Sequence, residues 1–129
     1  MKLPGNLIIE ADGGSRGNPG LAGSGACVID ADTGEVFIEV SKFIGIATNN
    51  VAEYIALVSG LEAAYDLNPD ARILVRMDSK LVIEQMAGRW KIKHPDMQQL
   101  GARVQKLVAG KQVRWQWIPR EENSRADAL

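Results

Sequence analysis

Histidine and cysteine are nearly missing from this chain: among 129 residues there is one of each, His94 and Cys27. A single cysteine excludes an internal disulfide and suits a reducing compartment. Within the apolar run Gly25-Ala26-Cys27-Val28-Ile29 it reads as a small core residue. One histidine leaves no basis for a histidine-rich zinc site or for Cys-His nucleophilic catalysis, and before Pro95 it reads as a loop residue. No stretch approaches the roughly 18 apolar residues of a membrane span, and the polar start Met1–Asn6 carries no apolar leader region. The expectation is a cytoplasmic protein that does not engage a membrane. The glycine-rich Gly20-Leu21-Ala22-Gly23-Ser24-Gly25 is not followed by Gly-Lys-Ser/Thr or by a helical pattern, which argues against a phosphate-cradling nucleotide loop.

What the chain does contain is an uneven distribution of charge. Residues 1–78 hold five Lys/Arg against eleven Asp/Glu. Residues 79–120 hold nine Lys/Arg against Glu84 and Asp96, and residues 121–129 return to a net −2. The overall charge of −1 therefore conceals an acidic half beside a basic segment. Such a pairing suits an enzyme that grips a polyanion while holding cations at the reacting bond; a solvated, lysine-rich helix surface would look the same.

Periodicity gives the elements. Asn6–Asp12 reads as a strand ended by Asp12 before the turn-forming Gly13-Gly14, and Gly25–Ile29 as a second strand. Glu35–Phe43 alternates, with Val36, Ile38 and Val40 on one face, and should pair antiparallel with it. Asn50–Tyr65 switches to helical spacing through Val51, Ile55, Val58, Leu61 and Tyr65. Arg72–Met77 reads as a buried parallel strand, Ser79–Met86 as a capped helix, and Asp96–Val108 as an amphipathic helix through Met97, Leu100, Val104 and Leu107. Val113–Ile118 is a last strand whose Val113, Trp115 and Trp117 should face the core. Asn123 or Ser124 should cap a final helix. The order βββαβα(α)βα predicts one α/β domain over residues 1–129, with a mixed five-stranded sheet: β1-β2-β3 antiparallel, β4 and β5 parallel to β1.

Four acids fall at informative places in this pattern. Asp12 and Asp78 stand at strand ends, and Glu53 and Asp127 at helix starts. Each has a local explanation: Asn50–Glu53 has the spacing of a capping box, Ser124–Asp127 permits a similar contact, Asp78 could cap a helix and Asp12 could open a turn. Together they fit the rule that open α/β sheets carry their sites at the carboxyl ends of parallel strands. A convergent set of hard oxygen donors suits magnesium or manganese. Two ions roughly 4 Å apart would explain the number of carboxylates, one activating water and the other offsetting charge on the leaving oxygen. Metal affinity without substrate should be weak, with phosphate oxygens completing the coordination.

The segments around these acids resemble the ribonuclease H family, type 1. The match lies in Asp12-Gly13-Gly14-Ser15-Arg16-Gly17-Asn18-Pro19-Gly20, Thr48-Asn49-Asn50-Val51-Ala52-Glu53, Met77-Asp78-Ser79-Lys80 and Asn123-Ser124-Arg125-Ala126-Asp127, in family order across nearly the whole chain. The resemblance implies a ribonuclease H-like fold and an endonuclease that cleaves the RNA strand of RNA/DNA hybrids with Mg2+ or Mn2+, leaving 5′-phosphate and 3′-hydroxyl ends. It implies Asp12, Glu53, Asp78 and Asp127 as catalytic metal ligands, Asp12 bridging two ions, Asp127 on the nucleophile side, and Glu53 with Asp78 on the other. Gly13, Gly14, Ser15, Asn18 and Asn49 would sense the ribose 2′-hydroxyl, the group that tells RNA from DNA. Thr48 and Asn50 would contact the DNA strand.

The chain also departs from the family pattern. Trp117–Asn123 is short and lacks the histidine often found before the last acid, leaving Arg120 or Glu121 as candidates for its part in turnover. Gly88-Arg89-Trp90-Lys91-Ile92-Lys93-His94-Pro95 replaces a longer basic protrusion, so hybrid binding should rest on Trp90, Lys91 and Lys93. Lys80 stands where glutamine is common and should contact phosphate. The pattern is similar to the amino-terminal half of actinobacterial two-domain proteins, implying a second catalytic domain beyond Leu129, and the expectation is a monomer. Two other classes share these features: a hybrid-binding module without activity, and a different nuclease or DNA-strand transferase on the same scaffold.

Overall fold

The computed structural model describes residues 3–129; Met1 and Lys2, the start of the polar N-terminal stretch noted above, lie outside the described residues. The elements are β1 (Asn6–Arg16), β2 (Gly20–Asp30), β3 (Val36–Ala47), α1 (Asn49–Leu67), β4 (Arg72–Met77), α2 (Lys80–Met86), α3 (Pro95–Val108), β5 (Val113–Trp117), a 3-10 turn over Arg120–Asn123, and α4 (Ser124–Asp127). The sheet order is β3-β2-β1-β4-β5. β1–β2 and β2–β3 are antiparallel, while β4 pairs parallel with both β1 and β5. The expected mixed five-stranded architecture is the one observed.

The first strands run longer than the glycine content suggests. β1 does not end at Asp12, and Gly13-Gly14 is not a turn: the ladder with β2 continues from Leu7↔Asp30 to Arg16↔Leu21. Glycine is a weak strand former, but ladder hydrogen bonds on the β2 side hold it extended. The parallel pairing with β4, in contrast, stops at Ala11↔Met77. Asp12 is thus mid-strand on one side and at a strand end on the other, and this notch in the sheet is where the site forms.

Alternation along β1 sends Leu7, Ile9 and Ala11 toward the helix layer, where they join Val28, Ile73, Val75, Met77, Tyr54, Leu57, Leu61, Val82, Ile83 and Val104 in one core. Of the stripe expected on α1, Val58 and Leu61 are fully buried, while Val51, Ile55 and Tyr65 are only partly so. Burial spreads beyond that stripe to Ala52, Tyr54, residues 56–61 and Ala64, because the helix packs on β1 and β2 and also against α3. Gly60 sits against Ile9 and Ala26, where a Cβ would come within 2.7 Å of Ile9. Trp115 packs against the core as expected, but Trp117 is 49% exposed. It stands at the end of β5, and its indole N–H donates to the Asp78 carbonyl at 3.0 Å. His94 is a helix cap, its Nδ1 accepting from the Asp96 amide.

Candidate metal centre and active site

The capping work that could have occupied Glu53 and Asp78 is done by their neighbours. Thr48 is the N-cap of α1, its hydroxyl accepting from the Val51 amide at 3.2 Å. Ser79 is the N-cap of α2, accepting from Val82 at 3.3 Å. Glu53, just beyond the first turn of α1, and Asp78, just past the end of β4, are left to meet Asp12 in the notch. One oxygen from each of Asp12, Glu53 and Asp78 lies within 4.8 Å of the others.

Three carboxylates at that distance repel one another, and for Asp12 and Glu53 the repulsion adds to burial in raising the proton affinity. Burial, the Asp127 carboxyl beside it and the charge of Asp78 push Asp12 up to about 7. Burial first, then the charges of Asp12 and Asp78, push Glu53 up to about 9, with the Gly13 amide offsetting part of this. Glu53 Oε2 is buried with no hydrogen-bond partner in the protein. An orphaned, desolvated carboxylate oxygen facing two other carboxylates is what a hard divalent cation would satisfy, so the donor set fits magnesium or manganese. Asp127 stands outside this tight trio: it is exposed at the end of α4, with Arg120 3.7 Å away. It lines the same cavity of about 560 Å³, together with Gly13, Gly14, Ser15, Asn49 and Arg120.

The remaining predicted residues fall into two groups. Ser15, Asn18 and Asn49 form one hydrogen-bonded rim: Asn49 Oδ1 accepts from the Ser15 amide at 2.8 Å and from its hydroxyl at 3.1 Å, and Asn18 Oδ1 accepts from the Asn49 amide at 3.1 Å. This ties the β1–β2 hairpin to the start of α1. Gly14 is exposed beside it, and Gly13 packs so closely that a Cβ there would lie 2.2 Å from the Ala52 carbonyl carbon. Asn50 and Lys80 are exposed on the first turns of α1 and α2. Trp90, Lys91 and Lys93 are exposed on the loop between α2 and α3. That loop is pinned from inside: buried Gln85 donates to the Lys91 carbonyl and accepts from Tyr54, Gln98 donates to the Ile92 carbonyl, and Ile92 packs on Gly101.

Sequence reasoning missed two residues that adjoin the cluster. Asn123, expected as a possible cap, is fully buried, and its amide donates to the Ala11 carbonyl at 2.9 Å and to Asp78 Oδ1 at 3.1 Å. Glu10, only 1% exposed, lies two residues before Asp12 on the same face of β1. A charged residue inside an otherwise apolar strand was the available signal for Glu10; Asn123 stood within the segment Asn123–Asp127 that carries the resemblance, but nothing in its spacing marked it as a partner of Asp78.

The reverse transcriptase-like family matches residues 10–129. A ribonuclease H of Alcanivorax borkumensis is 34% identical, with 96% of this chain and 88% of that protein covered. The chain belongs to the ribonuclease H family, type 1. The bifunctional protein Rv2228c of Mycobacterium tuberculosis is 52% identical over 95% of this chain but 34% of its own length. The chain thus spans about a third of the mycobacterial relatives it matches. The solved N-terminal RNase H domain of Rv2228c superposes with a TM-score of 0.93 at 50% identity, covering 99% of this chain and 91% of that one. LC11-RNase H1, isolated from compost by a metagenomic approach and solved in complex with an RNA/DNA hybrid, gives a TM-score of 0.91 at 40% identity, covering 96% and 93%. Among the described residues no helix is long and apolar enough to cross a membrane.

Proposed function

We propose that residues 1–129 act as one catalytic domain that hydrolyses the RNA strand of RNA/DNA hybrids. The observation that carries this reading is the convergence of Asp12, Glu53 and Asp78 on the cavity that Asp127 also lines. Two magnesium or manganese ions held there would polarise the scissile phosphate and the attacking water. The carboxylates' part is to bind those ions and to fix the displacement in line. Burial of Glu53 and Asp12 keeps the surroundings poorly solvated, which strengthens every charge interaction in the site.

The rim of Ser15, Asn18 and Asn49 supports discrimination of ribose from deoxyribose, since short polar groups fixed by mutual hydrogen bonds can read a 2′-hydroxyl without rearrangement. Thr48 and Asn50, at the start of α1, and Lys80, at the start of α2, would meet the DNA strand and its phosphates. Trp90, Lys91 and Lys93 supply the cationic and aromatic surface for the duplex. Arg120, the cation nearest Asp127, takes the place in turnover that a histidine holds in relatives. The hybrid bound to LC11-RNase H1 supports the substrate class. The proposal includes a reducing cytoplasmic setting, a monomeric domain, and a second catalytic domain in the full-length protein.

Offering the protein a hybrid, a DNA duplex and an RNA duplex of one sequence tests the reading. Cutting confined to the RNA strand of the hybrid is expected. Equal cutting of the DNA duplex would refute ribose sensing by Asn18 and Asn49, and tight hybrid binding without cutting would favour the binding-module class.

A further inference from the structure

Glu10 is out of place by composition: a carboxylate inside the central strand, 1% exposed, on the face of the sheet opposite the helix layer. A charge so buried persists only with partners. Arg76 of β4 donates to Oε2 at 3.3 Å, and Arg125 of α4 stands 3.4 Å from Oε1. Arg76 reaches on to Glu122 of the 3-10 turn at 3.4 Å. The buried acid therefore reaches α4 through its ion pair with Arg125, while Arg76, on the sheet itself, separately reaches the 3-10 turn.

Those segments need tying. α4 is a single turn of four residues, far below the length at which a helix holds itself, and Asp127 is its last residue. Where Asp127 stands is therefore decided by whatever seats this turn. Asn123 fixes its start, through Ala11 and Asp78. The Ala126 carbonyl rests on Gly25, where a Cβ would come within 2.4 Å. The Arg125–Glu10 pair lies between these two anchors in sequence and, among the described residues, is the charged contact that joins α4 to the sheet.

We propose that Glu10 and Arg125 are positioning residues, seating the last turn so that the Asp127 carboxylate stands beside Asp12. The inference deepens the reading of Asp127 as a cation ligand and rests on it. Neither residue touches the reacting groups; both act through Asp127.

Electrostatics and positioning predict opposite signs for one variant, and this makes the test decisive. Arg125→Met removes a cation near the carboxylate cluster, which by charge alone would tighten divalent binding. Loss of seating would instead weaken it. Arg125 is half exposed, so the fold should survive, which circular dichroism checks. Mn2+ binding to the free protein, followed by calorimetry, is expected to weaken by roughly tenfold, the lower end of what outer-sphere partners of metal ligands contribute. Arg125→Lys should recover most of it. In an Asp127→Asn background, Arg125→Met should change nothing further. The Mg2+ midpoint for cutting a labelled hybrid should move in parallel. Unchanged or tighter Mn2+ binding in Arg125→Met, or an equal loss in the Asp127→Asn background, would overturn the assignment. A wild-type protein that binds Mn2+ with this Arg125 dependence yet cuts no hybrid would instead refute the nuclease reading and leave the positioning role standing.

Discussion

Replacing Glu53 with glutamine should make the metal-free protein more stable at alkaline pH. The folded state holds the Glu53 proton up to about pH 9, whereas the unfolded chain releases it near the ordinary 4.5. Between those values folding takes up a proton, so the contribution is fully present below about 4.5 and is lost as pH rises toward 9. At 1.36 kcal/mol per pH unit, the span from 4.5 to pH 8 amounts to about 5 kcal/mol of strain on an isolated site. Much of the repulsion is shared with Asp12 and Asp78 and relaxes when either takes a proton, so about half, roughly 2–3 kcal/mol, belongs to Glu53 alone. For a domain of this size that is about 10 °C in melting temperature. Thermal unfolding in chelator at pH 8 and pH 5.5 reads it: the Glu53→Gln advantage should be large at pH 8 and shrink to a few degrees at pH 5.5. Magnesium should narrow the pH 8 gap by stabilising the wild type. An advantage independent of pH, or none at pH 8, would refute the claim that Glu53 is desolvated among like charges.

Gly13→Ala should separate β1 from α1, since its Cβ would fall within 2.5 Å of three Ala52–Glu53 backbone atoms; a loss of about 1–3 kcal/mol in urea unfolding should come with a drop in cutting, and wild-type behaviour would contradict the close packing. Changing Lys91 and Lys93 together to alanine should lower the slope of log affinity for hybrid against log salt by roughly two, if each meets one phosphate; an unchanged slope would remove this loop from the interface. Tyr54→Phe removes a buried hydroxyl bonded to Gln85 and should cost about 1–2 kcal/mol, with weaker hybrid binding as the Gln85–Lys91 link loosens. Binding at wild-type strength would show the loop to be held without it.

The elements that follow one period were legible in the sequence. β4 begins and ends where its β-branched run does, and α2 and α3 differ from expectation by a residue. The glycine-rich hairpin was not, because its extension depends on a partner strand rather than on its own side chains. The acids were legible because each stands close to a change of periodicity in the sequence, although Asp12 proved to lie mid-strand, and the meeting of Asp12 with Asp78 follows from the parallel pairing of β1 and β4. Asn123, Glu10 and Arg125 were not legible in that way. Their contacts join residues 45 to 115 positions apart, and no periodicity carries such a pairing. Trp117 failed for a simpler reason: alternation assigns a face, but β5 outruns the layer that would cover its last residue.

Titrating Mg2+ into wild-type protein and Asp78→Asn with one end-labelled RNA/DNA hybrid tests the account most directly. Saturable cutting of the RNA strand by the wild type, and none by a folded Asp78→Asn that still binds the hybrid, is the predicted result. Cutting by Asp78→Asn at the wild-type rate and the same Mg2+ midpoint would contradict it.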